Sequence, residues 1–505
     1  MSGGKRAATR TTSQTAESQT VESRSASLGS FPLLKGERIW SGAEFTWVNI
    51  SLAIATWAFL VGGSTALLVG FQQGLAAMII GNAIGLSIMV LASVVASQRH
   101  GGEQYTMLRP VFGLVGVGIL VFTVILITEM GWSSLLSIMV GRAVTQVSNE
   151  AFGTDFGPES VMVTVVSLAA IAAAWWILSR GPVMIGRFNK FIAPGLVVIT
   201  AGLMVFLVLN TSWDALMTAS PLAPFEDSRL NFMLAVEFNV GVGFSWYPVM
   251  GSLARLTKSP KAATWPAFGG LFIATVIAQA VGMGAALTLG DSDPTVWMMP
   301  FGGPLLGGAI LLFIAFANIT STSSIVYSTV LALRHSSGNL LARTPWPLLC
   351  AGFFVLPAIL AFFPGFMYEQ FMVFVTISGA FLSAMCGAII VDYFVMRRQH
   401  LHLPDMFTPG AASRYHFTGG VNWAGLAAVT AGAVFYLSIY NPVTLETLPV
   451  FSYTTASLPA ALLAGAVYYL LASLAYKWRN LGGFRDVPET TPVNTISNNA
   501  VKDHA

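Results

Sequence analysis

The chain has 505 residues, of which 55% are hydrophobic and only 9% charged, with a formal net charge of +3. Soluble domains carry roughly 25% charged residues, so this composition excludes an ordinary globular protein. So small a charge sum makes no case for a nucleic-acid partner. The two cysteines, Cys350 and Cys386, sit in apolar runs without the spacing of a disulfide framework or a zinc site.

Segments of about 20 apolar residues recur along the chain, each long enough to cross hydrocarbon as a helix. They lack the period-2 alternation of an outer-membrane barrel, which leaves an all-α polytopic membrane protein. Residues 1–35 are rich in Ser, Thr, Ala and Gln and read as a disordered tail without the apolar run of a secretory signal. Twelve spans follow, at 45–70, 74–98, 111–141, 158–179, 190–212, 231–256, 265–289, 304–333, 347–364, 371–396, 421–440 and 454–476. Residues 478–505 are polar again and read as a second tail. With the N-terminus in the cytoplasm, 23 of the 25 Lys and Arg residues fall on the cytoplasmic side, leaving only Arg142 and Arg229 outside. This asymmetry is the positive-inside rule; it predicts an even number of spans, both termini in the cytoplasm and a multi-pass protein of the plasma or inner membrane.

Two spans carry signs of a break. The sixth reads Gly241-Val242-Gly243-Phe244-Ser245-Trp246-Tyr247-Pro248-Val249-Met250-Gly251, and the first runs from Asn49 through Thr56-Trp57 to Gly62-Gly63-Ser64. Freed backbone groups are costly in lipid, so an interrupted helix needs a reason. Spans one and six are corresponding members of two five-helix halves, the pattern of an inverted-repeat secondary transporter with its site at the midplane. That division assigns 36–212 to a first repeat, 213–400 to a second and 401–477 to two extra spans.

Three carboxylates lie within the apolar spans, away from the terminal residues of each: Glu129, Glu237 and Asp392. An unpaired acid at the bilayer centre costs about 2.5–3.5 kcal/mol and is a functional candidate by default. Asp392, beside Arg397 and Arg398, reads as half of a structural ion pair. Glu237 stays open between the two roles. Glu129, three residues before Trp132, shares its helix face.

The residues now resemble the nucleobase:cation symporter-1 family, the cytosine, purine, hydantoin and allantoin permeases. The likeness is carried by Thr56-Trp57, Gly63-Ser64, Gly81-Asn82, Arg109-Pro110-Val111-Phe112-Gly113, Gly131-Trp132, Thr320-Ser321-Thr322, Tyr327-Ser328, Asp392-Tyr393-Phe394 with Arg397-Arg398, and Gly419-Gly420-Val421-Asn422-Trp423. Their order covers about four-fifths of the chain. The resemblance implies a leucine-transporter-like fold of five plus five inverted helices and two extra. It also implies cation-coupled import of a nucleobase or related heterocycle by alternating access, by a monomer and without a cofactor beyond the coupling ion.

Carried over residue by residue, the resemblance places a flat heterocycle against Trp132, since planar rings suit aromatic faces. The second stacking aromatic of the family falls at Gly243 here, and a family Asp at Ser252; Phe244 or Trp246, flanking Ser245, would supply the missing face. Thr320 and Ser321 match the hydroxyl pair of a Na⁺ site, with carbonyls from Ala317, Val48 and Leu52. Neutral hard oxygens suit an ion that must leave again. H⁺ moving through Glu129 or Glu237 is the alternative coupling. Ser323 and Ser324 read as hydroxyls bonded back to their own helix. Where cytosine permeases continue with Asn-Asp, this chain has Thr322-Ser323, so the residues that would read a base edge are absent there. Glu129 stands at the position of a substrate-contacting Gln. A carboxylate there accepts two hydrogen bonds from an amidine-like edge, as in aminopyrimidines, and disfavours the carbonyl edges of uracil and xanthine.

Other classes fare worse. An intramembrane enzyme would need a nucleophile, dyad or metal cluster, and the six histidines fall outside the spans. A channel fits two broken helices in one chain less well than a carrier. An amino-acid or other small-solute transporter on the same fold is the closer competitor, but Glu129 beside Trp132 is poor chemistry for a carboxylate cargo.

Overall fold

The computed structural model describes residues 31–484 apart from 181, 338–339, 342, 409 and 478–480, so most of both expected tails lies outside the described residues. The described residues form no strand longer than an isolated bridge. Among the described residues, eight helices are long and apolar enough to cross a membrane, or nine when the bent first pair is taken as one span. In chain order the elements are α1a (Gly42–Ala53), α1b (Thr56–Leu68), α2 (Phe71–His100), α3 (Leu114–Phe152), α4 (Val161–Ser179) and α5 (Pro182–Asn210). They continue with α6a (Ser228–Phe244), α6b (Tyr247–Ala254), α7 (Pro260–Leu289), α8 (Gly303–Ser336), α9 (Trp346–Leu360), α10 (Phe371–Met396), α11 (Trp423–Ile439) and α12 (Ser457–Lys477). The interrupted α6 and the shorter apolar α9 and α11 stand where the remaining expected spans were read, consistent with twelve.

Both anticipated breaks are present. α1a starts on a capping box, with Ser41 Oγ accepting from Glu44 N–H and Glu44 returning its carboxylate to Ser41 N–H at 2.8 Å. The chain then bends by 55° between α1a and α1b, at Ile54–Ala55. The Gly62-Gly63 pair lies inside α1b, where it serves packing. A Cβ on Gly62 would lie 2.0 Å from the Gln279 carbonyl oxygen, and one on Gly282 would lie 2.2 Å from that of Phe59, so α1b and α7 cross backbone to backbone. α2 and α6a do the same: a Cβ on Gly243 would meet Gly85 Cα at 2.8 Å. Position 243 therefore has no room for the aromatic that the resemblance expected.

The same four helices share a buried amide cluster. Asn82 Nδ2 donates to Asn239 Oδ1 at 3.2 Å and to Gln279 Oε1 at 2.9 Å, and Asn239 Nδ2 reaches Thr65 Oγ1 at 3.4 Å. In lipid, such bonds between helices average about 0.6 kcal/mol each, so the cluster fixes register more than it adds stability.

The loops holding most of the basic residues meet at one end. Leu33 N–H donates to Gly101 C=O at 2.8 Å, and Trp40 exchanges backbone bonds with Leu256 and Lys258 at 2.9 Å each. Asn422 N–H donates to Phe112 C=O at 2.9 Å, joining the Arg109–Gly113 turn to the start of α11. Asn422 also caps α11, and Gly113 has φ +79 with the Gly420 oxygen 2.4 Å from where a Cβ would stand. Leu33 and Phe484, both within the expected tails, are buried here. At the opposite end, Arg142 pairs with Asp293 at 2.6 Å and lies 3.6 Å over the Tyr368 ring.

Two of the three intramembrane acids are structural. Glu237 accepts from Tyr436 OH at 2.7 Å, from Ala456 and Ser457 N–H at 2.9 and 3.2 Å, and from Ser457 Oγ, tying α6a to α11 and to the N-terminus of α12. Asp392 pairs with Arg397 Nε at 2.8 Å and accepts from Tyr468 OH at 2.6 Å, as expected for an ion pair. Arg397 also donates to Gly482 C=O at 2.6 Å and to Pro110 C=O at 3.1 Å. Removing one partner of a buried pair costs about 3–5 kcal/mol because the other charge is left uncompensated. Asp392→Asn should therefore lower the thermal midpoint in detergent by many degrees, while Asp392→Leu combined with Arg397→Met recovers most of the loss. An unchanged midpoint in the single variant would remove the pair from the stability of this end.

Candidate substrate and cation site

The break in α1 leaves groups that a continuous helix would pair. Thr56 N–H, which would bond Leu52 C=O, donates instead to Asn318 Oδ1 of α8 at 3.2 Å, and Asn318 Nδ2 returns a 2.8 Å bond to Thr56 Oγ1. Leu52 C=O is left with only a long 3.4 Å bond from Trp57 Nε1. The α8 side chain thus both holds the break and releases a carbonyl.

The break in α6 follows from Pro248, which has no N–H for the carbonyl of Phe244. The second half is held by the loop after α2. The Gln104 amide bridges Tyr247 C=O and Gly251 N–H, the latter at 2.8 Å, and Tyr105 OH donates to Pro248 C=O at 2.9 Å. Ser252, at the position of the family Asp, donates to Glu103 at 3.2 Å.

Between the two breaks lies a partly open cavity, bounded also by α3 and α8. Its aromatic walls are Trp57, Trp132 and Trp246. Trp57 meets Trp132 edge to face with centroids 6.1 Å apart, and Trp246 at 5.6 Å. Phe371 and Phe374 of α10 hold Trp132 from outside the cavity, at 5.9 and 5.7 Å. The Gly before Trp132 has a packing reason: a Cβ at Gly131 would lie 2.4 Å from the Phe374 ring. The polar lining is Glu129, Ser245 and Ser321; Leu52, Leu136, Val242, Val249 and Ile325 complete the wall. Glu129 is 1% exposed, and its Oε1 has no hydrogen-bond partner; Trp132 Nε1 likewise has none.

The structure brings Glu129, Trp132, Ser245, Trp246, Leu52 and Ser321 to one cavity. Phe244, fully buried at the end of α6a, is not among its lining residues, which leaves Trp246 as the span-six aromatic at the site. Thr322 is also absent from the lining; its hydroxyl donates to Asn318 C=O at 2.8 Å. Thr320 Oγ1 donates to Ala317 C=O at 2.9 Å and Val48 C=O accepts from Ser51 Oγ at 2.8 Å, so each of those oxygens is committed on one side. Ser323 and Ser324 bond back along α8 at 2.9 Å, as expected. Sequence reasoning missed Trp57 as a wall and Asn318, Gln104 and Tyr105 as supports. The first stood in a quoted motif; the others act across 143 to 262 residues of chain, beyond any local pattern.

A family profile described as "Permease for cytosine/purines, uracil, thiamine, allantoin" matches residues 32–455. The chain is 23% identical over 469 residues to the purine-uracil permease NCS1 of Arabidopsis thaliana, covering 86% of this chain and 75% of the relative. It is 24% identical over 469 residues to the allantoin permease of Bacillus subtilis, covering 85% and 90%. Its fold is similar to that of Mhp1, a nucleobase-cation-symport-1 family transporter. The closed form with bromovinylhydantoin bound gives a TM-score of 0.68 at 16% identity over 88% of this chain and 96% of Mhp1. The inward-facing form gives 0.70 at 17% over 92% and 98%. The membrane-crossing helices, the two breaks and the profile match over most of the chain lead to one conclusion: this protein belongs to the family of cytosine/purine, uracil, thiamine and allantoin permeases, and is a membrane transporter rather than an enzyme.

Proposed function

We propose that this permease is a symporter in which a cation gradient drives import of a planar nitrogen heterocycle by alternating access. In this reading both termini are cytoplasmic and the chain is built as two inverted five-helix repeats, 36–212 and 213–400, followed by two further helices. The observation that carries the reading is the cavity at the junction of both helix breaks, walled by three tryptophans and lined by Leu52 and Ser321 of the proposed cation set. The substrates for which the relatives are named, purines and uracil in one and allantoin in the other, are nitrogen heterocycles.

Trp132 is the stacking face in this proposal. Stacking a base on an aromatic is worth about 1–3 kcal/mol, so Trp132→Ala should weaken heterocycle binding by about 10- to 100-fold with insertion intact. Equilibrium binding to purified protein measures this; unaltered binding would assign Trp132 to packing.

The cation set is Thr320 and Ser321 hydroxyls with the Ala317, Val48 and Leu52 carbonyls. It fits Na⁺ because it is neutral, all oxygen, and includes a carbonyl released by the α1 break. Asn318 is its positioning residue. Replacing Thr320 and Ser321 together by Ala should abolish Na⁺ stimulation of uptake in proteoliposomes while heterocycle binding persists. Asn318→Ala should raise the Na⁺ concentration for half-stimulation, with Asn318→Asp recovering part of the effect. Equal uptake with and without Na⁺ in the wild type would transfer coupling to H⁺ through Glu129, since the hydrogen bonds of Glu237 are all taken by the protein.

A further inference from the structure

We infer that the cargo is a planar nitrogen heterocycle held in its cationic form, in a cage of Trp57, Trp132 and Trp246 with Glu129 as its counter-charge. This rests on the heterocycle-transport reading and narrows it.

The first ground is the contrast among the three intramembrane acids. Glu237 receives four donors and Asp392 an arginine and a phenol, all from the protein itself. Glu129, equally buried, has an Oε1 that no protein donor reaches. No Lys, Arg or His is among the residues lining the cavity, so nothing in the wall balances a carboxylate there. A buried acid without a structural partner, facing a cavity, is matched by a ligand that brings donors and positive charge.

The second ground is independent of that charge. Three indoles line one void, Trp57 standing edge to face against each of the other two, and an aromatic face attracts a cation, more strongly once water is excluded. A neutral, carbonyl-rich ring would gain stacking but place its oxygens against the carboxylate. A flat cation with an exocyclic amine satisfies the rings and the acid together.

The test uses two molecules of the same shape, 1-methyl-4-aminopyridinium and 1-methyl-4-pyridone, which differ in charge and in an amine replaced by a carbonyl. Equilibrium dialysis of the purified full chain in nanodiscs should give the pyridinium an affinity at least about tenfold above the pyridone. Glu129→Gln should remove that preference while retaining pyridone binding. Trp132→Ala should weaken both probes. Equal binding, preference for the pyridone, binding of neither probe, or an unchanged ratio in Glu129→Gln would each overturn the inference. Saturable uptake of uracil or allantoin by a protein that prefers the pyridone would leave heterocycle transport standing and remove only the cationic cargo. Glu129-dependent binding of the pyridinium without uptake of any heterocycle would instead sink the transport reading.

Discussion

A helix can be interrupted inside hydrocarbon only where another part of the protein takes up the backbone groups it frees. That constraint organises this molecule. Asn318 supplies the missing acceptor for Thr56, and Gln104 with Tyr105 holds the second half of α6. The supports come from different elements, α8 and the loop after α2, so each break is fastened to a part of the fold outside its own helix. The released Leu52 carbonyl and the turned Trp246 exist at the cavity because those fastenings exist. Their cost falls on α8 and the loop, whose polar side chains are buried in order to serve them.

Backbone-to-backbone crossings give the second organising element. Gly62 with Gly282, and Gly85 with Gly243, bring α1b against α7 and α2 against α6a without intervening side chains. The amide cluster of Asn82, Asn239, Gln279 and Thr65 joins the same four helices. The broken helices are thereby paired with two unbroken ones, which gives them stiffness despite their interruptions.

The fold class, the positions of the spans and the existence of both breaks were legible in the sequence, because length, apolarity and Gly/Pro content are local properties. So was the proximity of Glu129 to Trp132, which is helical spacing and nothing more. What holds the first break was not: the bend falls at Ile54–Ala55, within the stretch read from Asn49 to Gly63, and is fastened from α8, while Gly62-Gly63 is a packing surface. Nor could the sequence separate Phe244 from Trp246. Two residues apart at the end of a helix, they lie on opposite sides, and only the partner helices say which side is the cavity. Several residues that carried the family resemblance, Arg109–Gly113, Asp392, Arg397 and Gly419–Trp423, belong to the clasp at the basic end. They identify the fold and say little about the cargo.

The clasp also bears on how the chain is made. A growing polypeptide emerges N-terminus first, and Arg397 finds Pro110 and Asp392 among residues already synthesised. Its remaining acceptor, Gly482 C=O, lies 85 residues further on, beyond both α11 and α12. Until those two helices are inserted, the guanidinium is one acceptor short and Asp392 lacks the Tyr468 hydroxyl. The last helices contribute nothing to the cavity wall; what they add is the completion of this clasp.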